Sequence, residues 1–328
     1  MSLDLRQLRY VIAVAEEGNI TRAAERLDMQ PPPLSRQIQA IERELDVQLF
    51  RRKARGVELT DAGRVFLDNA RGVLAQLDQT LEATRRTARG EQGRICVAYS
   101  STVAFHPLVP RIIREFREAF ALVTVTLIEG FPETLIERMQ HDQLDVCFIR
   151  RLENHTQGVD ASLLDEEPMV VALPSAHRLA QSNPDADLAL RALAGETFIL
   201  FGDPHGDALQ RNSAFVAACH AAGFSPRVGH VVPFISSRLN LIAAGLGIAV
   251  VAASLEHAKI EGVAFRRLKG APQLKAPLSV AFRRRESSPA VRQFLNLCKA
   301  TAASFHDSKI ELTCSGNSAR RRLRAAPR

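Results

Sequence analysis

Residues 27–43 read LDMQPPPLSRQIQAIER, and three consecutive prolines stand directly before a stretch with helical spacing. Proline is tolerated in the first turn of a helix, because the N–H that it lacks has no intrahelical partner there. The prolines therefore predict the start of a helix and stiffen the turn before it. At about 100° per residue, the apolar side chains of this helix share one stripe, formed by Leu34, Ile38, Ile41 and Leu45.

The opposite face of this helix is polar and bears Pro32, Ser35, Arg36, Gln39 and Arg43. Arginine can bond guanine or a phosphate, glutamine can pair with adenine, and serine can reach either. Upstream, residues 4–17 have amphipathic spacing and residues 21–27 form a short second helix with Ala23 and Ala24 at the crossing. Two short helices with an outward polar face predict a helix-turn-helix. The alternative is a solvated face on an ordinary helical domain.

A basic hairpin follows this helix. Leu49 and Phe50 close the apolar core, and the basic residues Arg51, Arg52, Lys53 and Arg55 precede GVELT at 56–60. Basic residues on a small hairpin beside a reading helix are typical of a wing that contacts the phosphate backbone. A charge run alone would indicate a solvated loop, so the position of this run is what favours the wing.

The sequence resembles the LysR-type transcriptional regulators. The resemblance is carried by LRQLRYVIAVAEEGNITRAAERL at 5–27, PPLSRQIQAIERELDVQLFRR at 32–52 and RGVELTDAG at 55–63. It implies a winged helix-turn-helix that binds double-stranded DNA, and we expect these contacts: Thr21, Arg22, Gln30, Pro32, Pro33, Ser35, Arg36, Gln39, Arg43, Arg51, Arg52, Lys53 and Arg55. Two positions depart from the family. Pro31 stands where relatives have glutamine, and Asp46 replaces a glycine, although aspartate can adopt a left-handed helix end.

A long helix is predicted from Thr60-Asp61-Ala62 to about residue 88. Its apolar positions alternate in steps near three and four, the seam of a helix that packs on another helix: Phe66, Ala70, Val73, Leu77, Leu81, Thr84 and Ala88. We expect a homodimer through Phe66, Val73, Leu77 and Leu81. A two-fold dimer presents two reading helices to a pseudo-palindromic promoter site. The resemblance also implies a homotetramer, with RNA polymerase as a further candidate partner.

Beyond Arg89–Gly93 the chain alternates strand-like and helical segments, which predicts a parallel sheet covered by helices on both faces. The overall class is α/β multidomain, and the resemblance implies two lobes like those of periplasmic binding proteins. The expected divisions are a winged helix-turn-helix at 1–60, a linker helix at 61–89, an effector-binding domain at 90–300, and a basic, disordered tail at 301–328. Lobe I would comprise 90–164 and 268–300, and lobe II would comprise 165–267.

Polar residues at strand ends are the candidates for an effector site, because ligands of doubly wound folds bind at the carboxyl ends of strands. They are Ser100, Ser101, Thr102, Arg150, Phe201, Gly202, Asp203 and Ser236. The hydroxyls, the arginine and the phenylalanine also have plainer explanations: a turn and cap for the hydroxyls, a surface ion pair for the arginine, and a core position for the phenylalanine.

Within the family, this half looks most like regulators of aromatic-acid degradation. Arg150 corresponds to their strand-end arginine, and their hydroxyl aligns with either Thr102 or Val103. Pro132 replaces a further threonine. The expected ligand is a small anionic effector, with an aromatic carboxylate as the leading candidate.

Composition and motifs narrow the range of functions that the sequence allows. The formal net charge is +7, and the five cysteines include no CxxC pair. The N-terminus lacks a signal-peptide layout, and the longest apolar run, from Leu239, is too short to span a bilayer, so we expect a cytoplasmic protein that does not enter a membrane. Phosphate-loop, metal-ligand and nucleophile-elbow spacings are missing from the sequence, so we expect neither an enzyme nor a cofactor or metal. The alternative is an α/β small-molecule-binding protein or enzyme with an appended helical domain.

Overall fold

The computed structural model describes residues 3–54, 56–150, 157–183 and 186–324, with side chains up to residue 308. The chain divides into two compact units, Met1–Ala88 and Arg89–Arg328. The first contains α1 (Leu5–Glu17), α2 (Ile20–Arg26), α3 (Pro31–Leu45), β1 (Phe50–Lys53), β2 (Gly56–Leu59) and α4 (Asp61–Arg89). This is the helix-turn-helix, hairpin and long helix that the sequence predicts.

Helix α3 begins and ends where the sequence predicts. Pro31 occupies the first helical position, and Gln30 precedes it with extended backbone. Asp46 ends the helix in the left-handed conformation, with φ 52°. The apolar stripe of α3 is buried in a core shared with α1 and α2, which contains Val11, Val14, Ala23, Ala24, Leu34, Ile38, Ile41 and Leu49.

The wing formed by β1 and β2 is fastened to the helices by backbone contacts. Val57 N–H donates to Gly18 O at 2.9 Å, and a Cβ on Gly56 would lie 2.2 Å from that same oxygen. One Glu42 carboxylate oxygen accepts from Leu49 N at 2.8 Å and Phe50 N at 3.0 Å, which ties the start of the wing to α3. The wing therefore has a fixed position beside the helix-turn-helix.

The second unit has ten strands and seven α-helices within the described ranges. The strands are β3 (Gln92–Ser100), β4 (Leu122–Gly130), β5 (Val146–Ile149), β6 (Val159–Pro174), β7 (Leu188–Ala189), β8 (Thr197–Phe201), β9 (Arg227–Val232), β10 (Ala249–Ala252), β11 (Val263–Lys269) and β12 (Lys275–Arg283). The helices are α5 (Leu108–Ala119), α6 (Pro132–Gln140), α7 (Arg178–Gln181), α8 (Ala208–Arg211), α9 (Ser213–Ala221), α10 (Ile235–Ala243) and α11 (Pro289–Arg324).

The sheet of this unit is mixed, so the prediction of a parallel sheet is correct only in part. In lobe I, β3 pairs in parallel with β4 and β5, and in lobe II, β8 pairs in parallel with β9. By contrast, β6 pairs antiparallel with β10, β11 and β12, and β12 pairs antiparallel with β5. Strands β6 and β12 are long because they belong to both lobes. Alternation of strands and helices cannot reveal a strand that returns in the opposite direction.

The two lobes are joined by β6 and β12, which cross between them side by side. The register of this pair shifts between Leu278 and Ser279, where Leu278 lies opposite Asp165 and Ser279 lies opposite Leu163. The first crossing is therefore near residue 165. The second is near 278, about ten residues later than the expected 268, because β11 still pairs with the lobe II half of β6.

Helix α11 extends past the predicted domain end. Residues 301–324 are helical in backbone, where the sequence pattern predicts a disordered tail. Ala302 is buried in the lobe I core, and Thr301 Oγ1 donates to Glu115 on α5 at 2.6 Å. The sequence shows no core pattern here because the buried residues after 300 are small or polar.

Candidate functional site

The outer face of α3 is available for contact. Arg36, Gln39 and Arg43 are exposed, whereas Leu34 and Ile41 on the opposite face are fully buried. Arg43 Nε donates to the Gln39 carbonyl at 3.2 Å. In the part of the chain that is described, the Arg36 guanidinium forms no hydrogen bond or ion pair. Arg36 is therefore a cation free to meet an external acceptor.

The side chains of the other predicted DNA contacts differ in whether they already form ion pairs within the protein. Arg51 and Lys53 on the wing share the Glu58 carboxylate, at 3.0 and 2.5 Å, and together they lower its pKa. Arg22 pairs with Glu17 at the start of α2. The remaining predicted contacts are Thr21, Gln30, Pro32 and Arg52, all exposed, and the half-buried Pro33 and Ser35. Arg55 lies outside the described residues.

The hydroxyl cluster after β3 lies at the carboxyl edge of lobe I. Ser100 pairs with Gly130 of β4 and is buried, and its Oγ lies 3.3 Å from Thr102 Oγ1. Ser101 and Thr102 are partly exposed, whereas Val103 is fully buried in the lobe I core. Of the two candidates left by the sequence, Thr102 is therefore the one whose side chain is partly exposed.

Arg150 is not a free cation in the cleft. Its Nη1 lies 2.7 Å from Glu167 Oε1 in an ion pair that is poorly aligned for a hydrogen bond. Its Nε and Nη2 donate to the Thr102 carbonyl at 3.2 and 2.7 Å, and Nη2 also lies 3.4 Å from Ser254 Oγ. Burial lowers the pKa of Arg150, although Glu167 opposes that effect. Arg150 positions the hydroxyl loop and links it to lobe II.

The partners of Arg150 belong to a buried polar network that sequence spacing did not reveal. Glu167 on β6 accepts from Ser254 N at 2.6 Å and from Ser254 Oγ at 2.9 Å. Two residues earlier, the buried Asp165 is held between His106 Nε2 at 3.1 Å and His306 Nε2 at 2.8 Å. The sequence LDEEP at 164–168 did indicate such a network. An acidic run inside a strand that crosses a core needs partners for its carboxylates.

The effector-site residues predicted in lobe II lie at or just after the carboxyl ends of β8 and β9. Gly202 N–H donates to Val232 O at 3.0 Å, so the ends of β8 and β9 are adjacent. Asp203 is exposed and accepts from His205 N, which is a turn contact, and Phe201 is half-buried. Ser236 is exposed in the first turn of α10. Arg238 fixes that helix by donating to Ile199 O and Val250 O, and burial lowers its pKa to about 10.

The predicted dimerisation seam is only partly available on α4. Phe66 packs against the core of its own unit and is half-buried, and Ala70 is buried, so these two positions are less available to a partner helix. Further along, Val73 is 49% exposed and Leu81 is 45% exposed. A groove of about 500 Å³ is lined by Leu5, Leu8 and Val73, among others.

Two family models match the chain and together cover most of it. Residues 5–64 match the model described as "Bacterial regulatory helix-turn-helix protein, lysR family". Residues 88–303 match the model "LysR substrate binding domain". The chain belongs to the LysR family of transcriptional regulators. It is a DNA-binding regulator with an effector-binding domain, as its resemblance implied.

Similar proteins agree with this family assignment. The chain is 34% identical over 295 residues to the HTH-type transcriptional regulator BudR of Raoultella terrigena, covering 90% of this chain and 100% of that protein. The structure is similar to full-length CbnR complexed with its target DNA, at 30% identity and a TM-score of 0.78, covering 92% and 100% of the two chains. The effector-binding domain of BenM with its effector benzoate shares the fold of the second unit, at 23% identity and a TM-score of 0.56, covering 66% and 93%.

The enzyme alternative is set aside because the relatives are regulators by name. The four described cysteines are free thiols, and burial raises the pKa of Cys147 to about 12, which disfavours a thiolate. Among the described residues of this LysR-family regulator, no group of histidine, cysteine or acidic residues is arranged for a metal ion. In the same residues, no helix has the length and apolarity needed to cross a membrane.

Proposed function

We propose that this regulator reads a promoter site through the outer face of α3 and responds to a small organic acid bound between its two lobes. The observation that carries the DNA half is the exposed polar face of α3, with the unpartnered Arg36 at its centre. An arginine without an internal acceptor can donate two parallel hydrogen bonds to guanine. The wing contributes Arg52, which lies on the exposed strand β1, as a phosphate contact.

The proposed DNA contact is tested by titrating the full-length protein onto DNA from upstream of its own gene. Arg36→Ala is expected to weaken specific binding by about 1–3 kcal/mol and to relax preference at one base pair. Arg9→Ala removes the same charge from the exposed side of α1 and serves as the matched control. If both variants lose affinity equally on specific and random DNA, α3 does not read bases through Arg36.

For the effector we propose a small carboxylate held by Ser101 and Thr102 of lobe I and by the first turn of α10 near Ser236. Hydroxyls and unpaired helix-terminal N–H groups suit an anion. Arg150 supports this site by fixing the Thr102 carbonyl, and its charge is shared with Glu167. BenM binds benzoate in a domain of the same fold, and benzoate is therefore the first aromatic acid to be tried.

A thermal-shift screen of the full-length protein against aromatic and aliphatic acids tests this cleft. An acid at 100 times its dissociation constant stabilises the folded protein against unfolding by about 2.7 kcal/mol. Thr102→Val is expected to abolish the shift, whereas Thr126→Val, an exposed position on β4, preserves it. Arg150→Ala is a poorer test, because it also leaves the buried Glu167 without its cation. If the Thr102→Val variant still shows the thermal shift, the hydroxyl cluster is not part of the binding site.

We further propose that the regulator is cytoplasmic and acts as a homodimer, or a homotetramer, through the exposed seam of α4. Val73 and Leu81 support this proposal, because a half-exposed apolar row on a long helix is poorly tolerated in water. A two-fold pair would then bind a pseudo-palindromic site. Sedimentation of Leu81→Glu tests it, since the charge should shift the protein towards monomer. If the Leu81→Glu variant keeps the same oligomeric state, the exposed seam of α4 makes a contact other than the dimer interface.

A further inference from the structure

Two exposed phenylalanines meet across the cleft between the lobes. Phe131 lies between β4 and α6 in lobe I, and Phe234 lies between β9 and α10 in lobe II. Their ring centroids are 5.5 Å apart, with the planes inclined by 46°. Phe131 is nevertheless 40% exposed and Phe234 is 50% exposed. Each ring therefore touches the other lobe from the surface and belongs to neither core.

A second contact crosses the same cleft beside the aromatic pair. Glu133 lies in the first turn of α6, two residues after Phe131, and forms an ion pair and hydrogen bond with Arg211 of α8. Both side chains are more than two-fifths exposed. An exposed pair gains little free energy because water solvates both charges. It is therefore easily broken and reformed.

These contacts lie opposite the connection between the lobes. At the connection, β6 and β12 cross together, and the buried Arg150–Glu167 pair reinforces them. At the strand ends, Phe131 follows β4, which pairs with β3 as far as Ser100. Phe234 follows β9, which pairs with β8 as far as Phe201. Closure of two lobes about a crossing of two strands is a hinge motion. Contacts at the far side of a hinge decide how often the cleft is open.

We propose that Phe131, Phe234, Glu133 and Arg211 form an interlobe clasp, which holds the cleft closed when no effector is bound. Loss of the aromatic pair is expected to raise the ratio of open to closed molecules about two- to tenfold. Loss of the ion pair is expected to raise it about two- to fivefold. The clasp therefore sets how often the cleft admits a ligand, and the fraction of competent molecules scales the apparent affinity.

The absence of tryptophan from the sequence gives a direct reporter of the clasp. Phe234→Trp keeps an aromatic side chain against Phe131 and introduces one tryptophan into the full-length protein. With the clasp closed, its emission should be blue-shifted and partly protected from acrylamide. Adding Phe131→Ala should red-shift the emission and increase quenching, with no effector present. Equal emission and quenching with and without the Phe131 ring would overturn the proposal.

Charge reversal tests the polar half in the same tryptophan background. Glu133→Arg and Arg211→Glu should each increase quenching, and the double reversal should restore protection because it rebuilds the pair with opposite polarity. Glu118→Arg, at an exposed position on α5, is the matched control and should have no effect. The proposed role of the ion pair would be overturned if the single reversals did not change quenching. It would also be overturned if the double reversal did not restore protection.

Backbone hydrogen exchange gives a second measurement that needs no tryptophan. In the otherwise unchanged protein, Arg211→Glu should speed exchange of the Leu135 and Arg238 amides, which close the first turns of α6 and α10 by donating to Phe131 O and Phe234 O, while exchange in the lobe cores stays the same. All four side chains are exposed, so the fold should survive their replacement. Unchanged exchange at both turns would contradict the clasp. This test does not depend on the chemical class of the effector.

Discussion

Neutralising Glu167 should destabilise the second unit more than any surface change. This carboxylate is only 5% exposed and lies where β6 crosses between the lobes. It pairs with Arg150 and accepts two hydrogen bonds from Ser254. Glu167→Gln keeps the shape and one oxygen acceptor, but it removes the charge that compensates a mostly buried guanidinium.

The magnitude follows from leaving one charge buried without its partner. Breaking a buried pair from one side costs about 3–5 kcal/mol. The glutamine retains one acceptor for Ser254, so we expect the lower end, about 3 kcal/mol. For a unit of this size, each kcal/mol lowers the melting temperature by about 2–4 °C, so the transition should fall by about 6–12 °C. Removing both charges in Arg150→Met/Glu167→Leu should cost less than either single change.

Differential scanning calorimetry of the full-length protein measures this directly, because the transition of the second unit should move while that of the first stays in place. Together with the single variants Arg150→Met and Glu167→Leu, the double variant supplies the coupling energy of the pair. A loss below about 1 kcal/mol for Glu167→Gln would refute the reasoning, since surface positions already give such values. Strictly additive single and double variants would refute it as well.

Three further outcomes are expected. Arg71 and Arg26 hold the pKa of Glu16 below its usual value of 4.5, so Glu16→Gln should destabilise the first unit at neutral pH by less than about 1 kcal/mol; the difference should vanish as the pH falls through the lowered pKa, measured by chemical denaturation at pH 7 and pH 3. Deleting residues 309–328 removes six basic side chains, and if they contact phosphates the slope of log K against log salt should decrease in magnitude by up to about 5; an unchanged slope would exclude DNA contact by this segment. His306→Ala should loosen the end of α11, because Asp165 loses one of its two imidazoles, with faster hydrogen exchange after residue 300 as the readout and unchanged exchange as the contrary result.

Much of the first unit was predictable because its signals are local. The prolines before Leu34 mark a helix start, and the 3.6-residue spacing assigns the buried and exposed faces of α3 correctly. Asp46 ends that helix as expected, since a left-handed residue is needed there and aspartate tolerates it. Each of these features depends on residues within a few turns of one another.

The cleft was predictable only in outline because its chemistry depends on distant residues. Arg150 was found as a strand-end cation, but its partner Glu167 and the donor Ser254 come from elements that sequence spacing cannot bring together. The same holds for His306, which lies 141 positions from Asp165. The contact between Phe131 and Phe234 was not predicted, because the two rings are brought together only where the two lobes face each other.

The most direct test of the regulator is a footprint of the full-length protein on DNA from upstream of its own gene, with and without the acid identified by the screen. We expect protection of two half-sites related by a pseudo-palindrome, and a changed pattern of protection when the acid is bound. The Thr102→Val variant should protect the same DNA but show no change with the acid. A bound acid that leaves the footprint of the unaltered protein unchanged would contradict the claim that the cleft controls how the protein engages DNA.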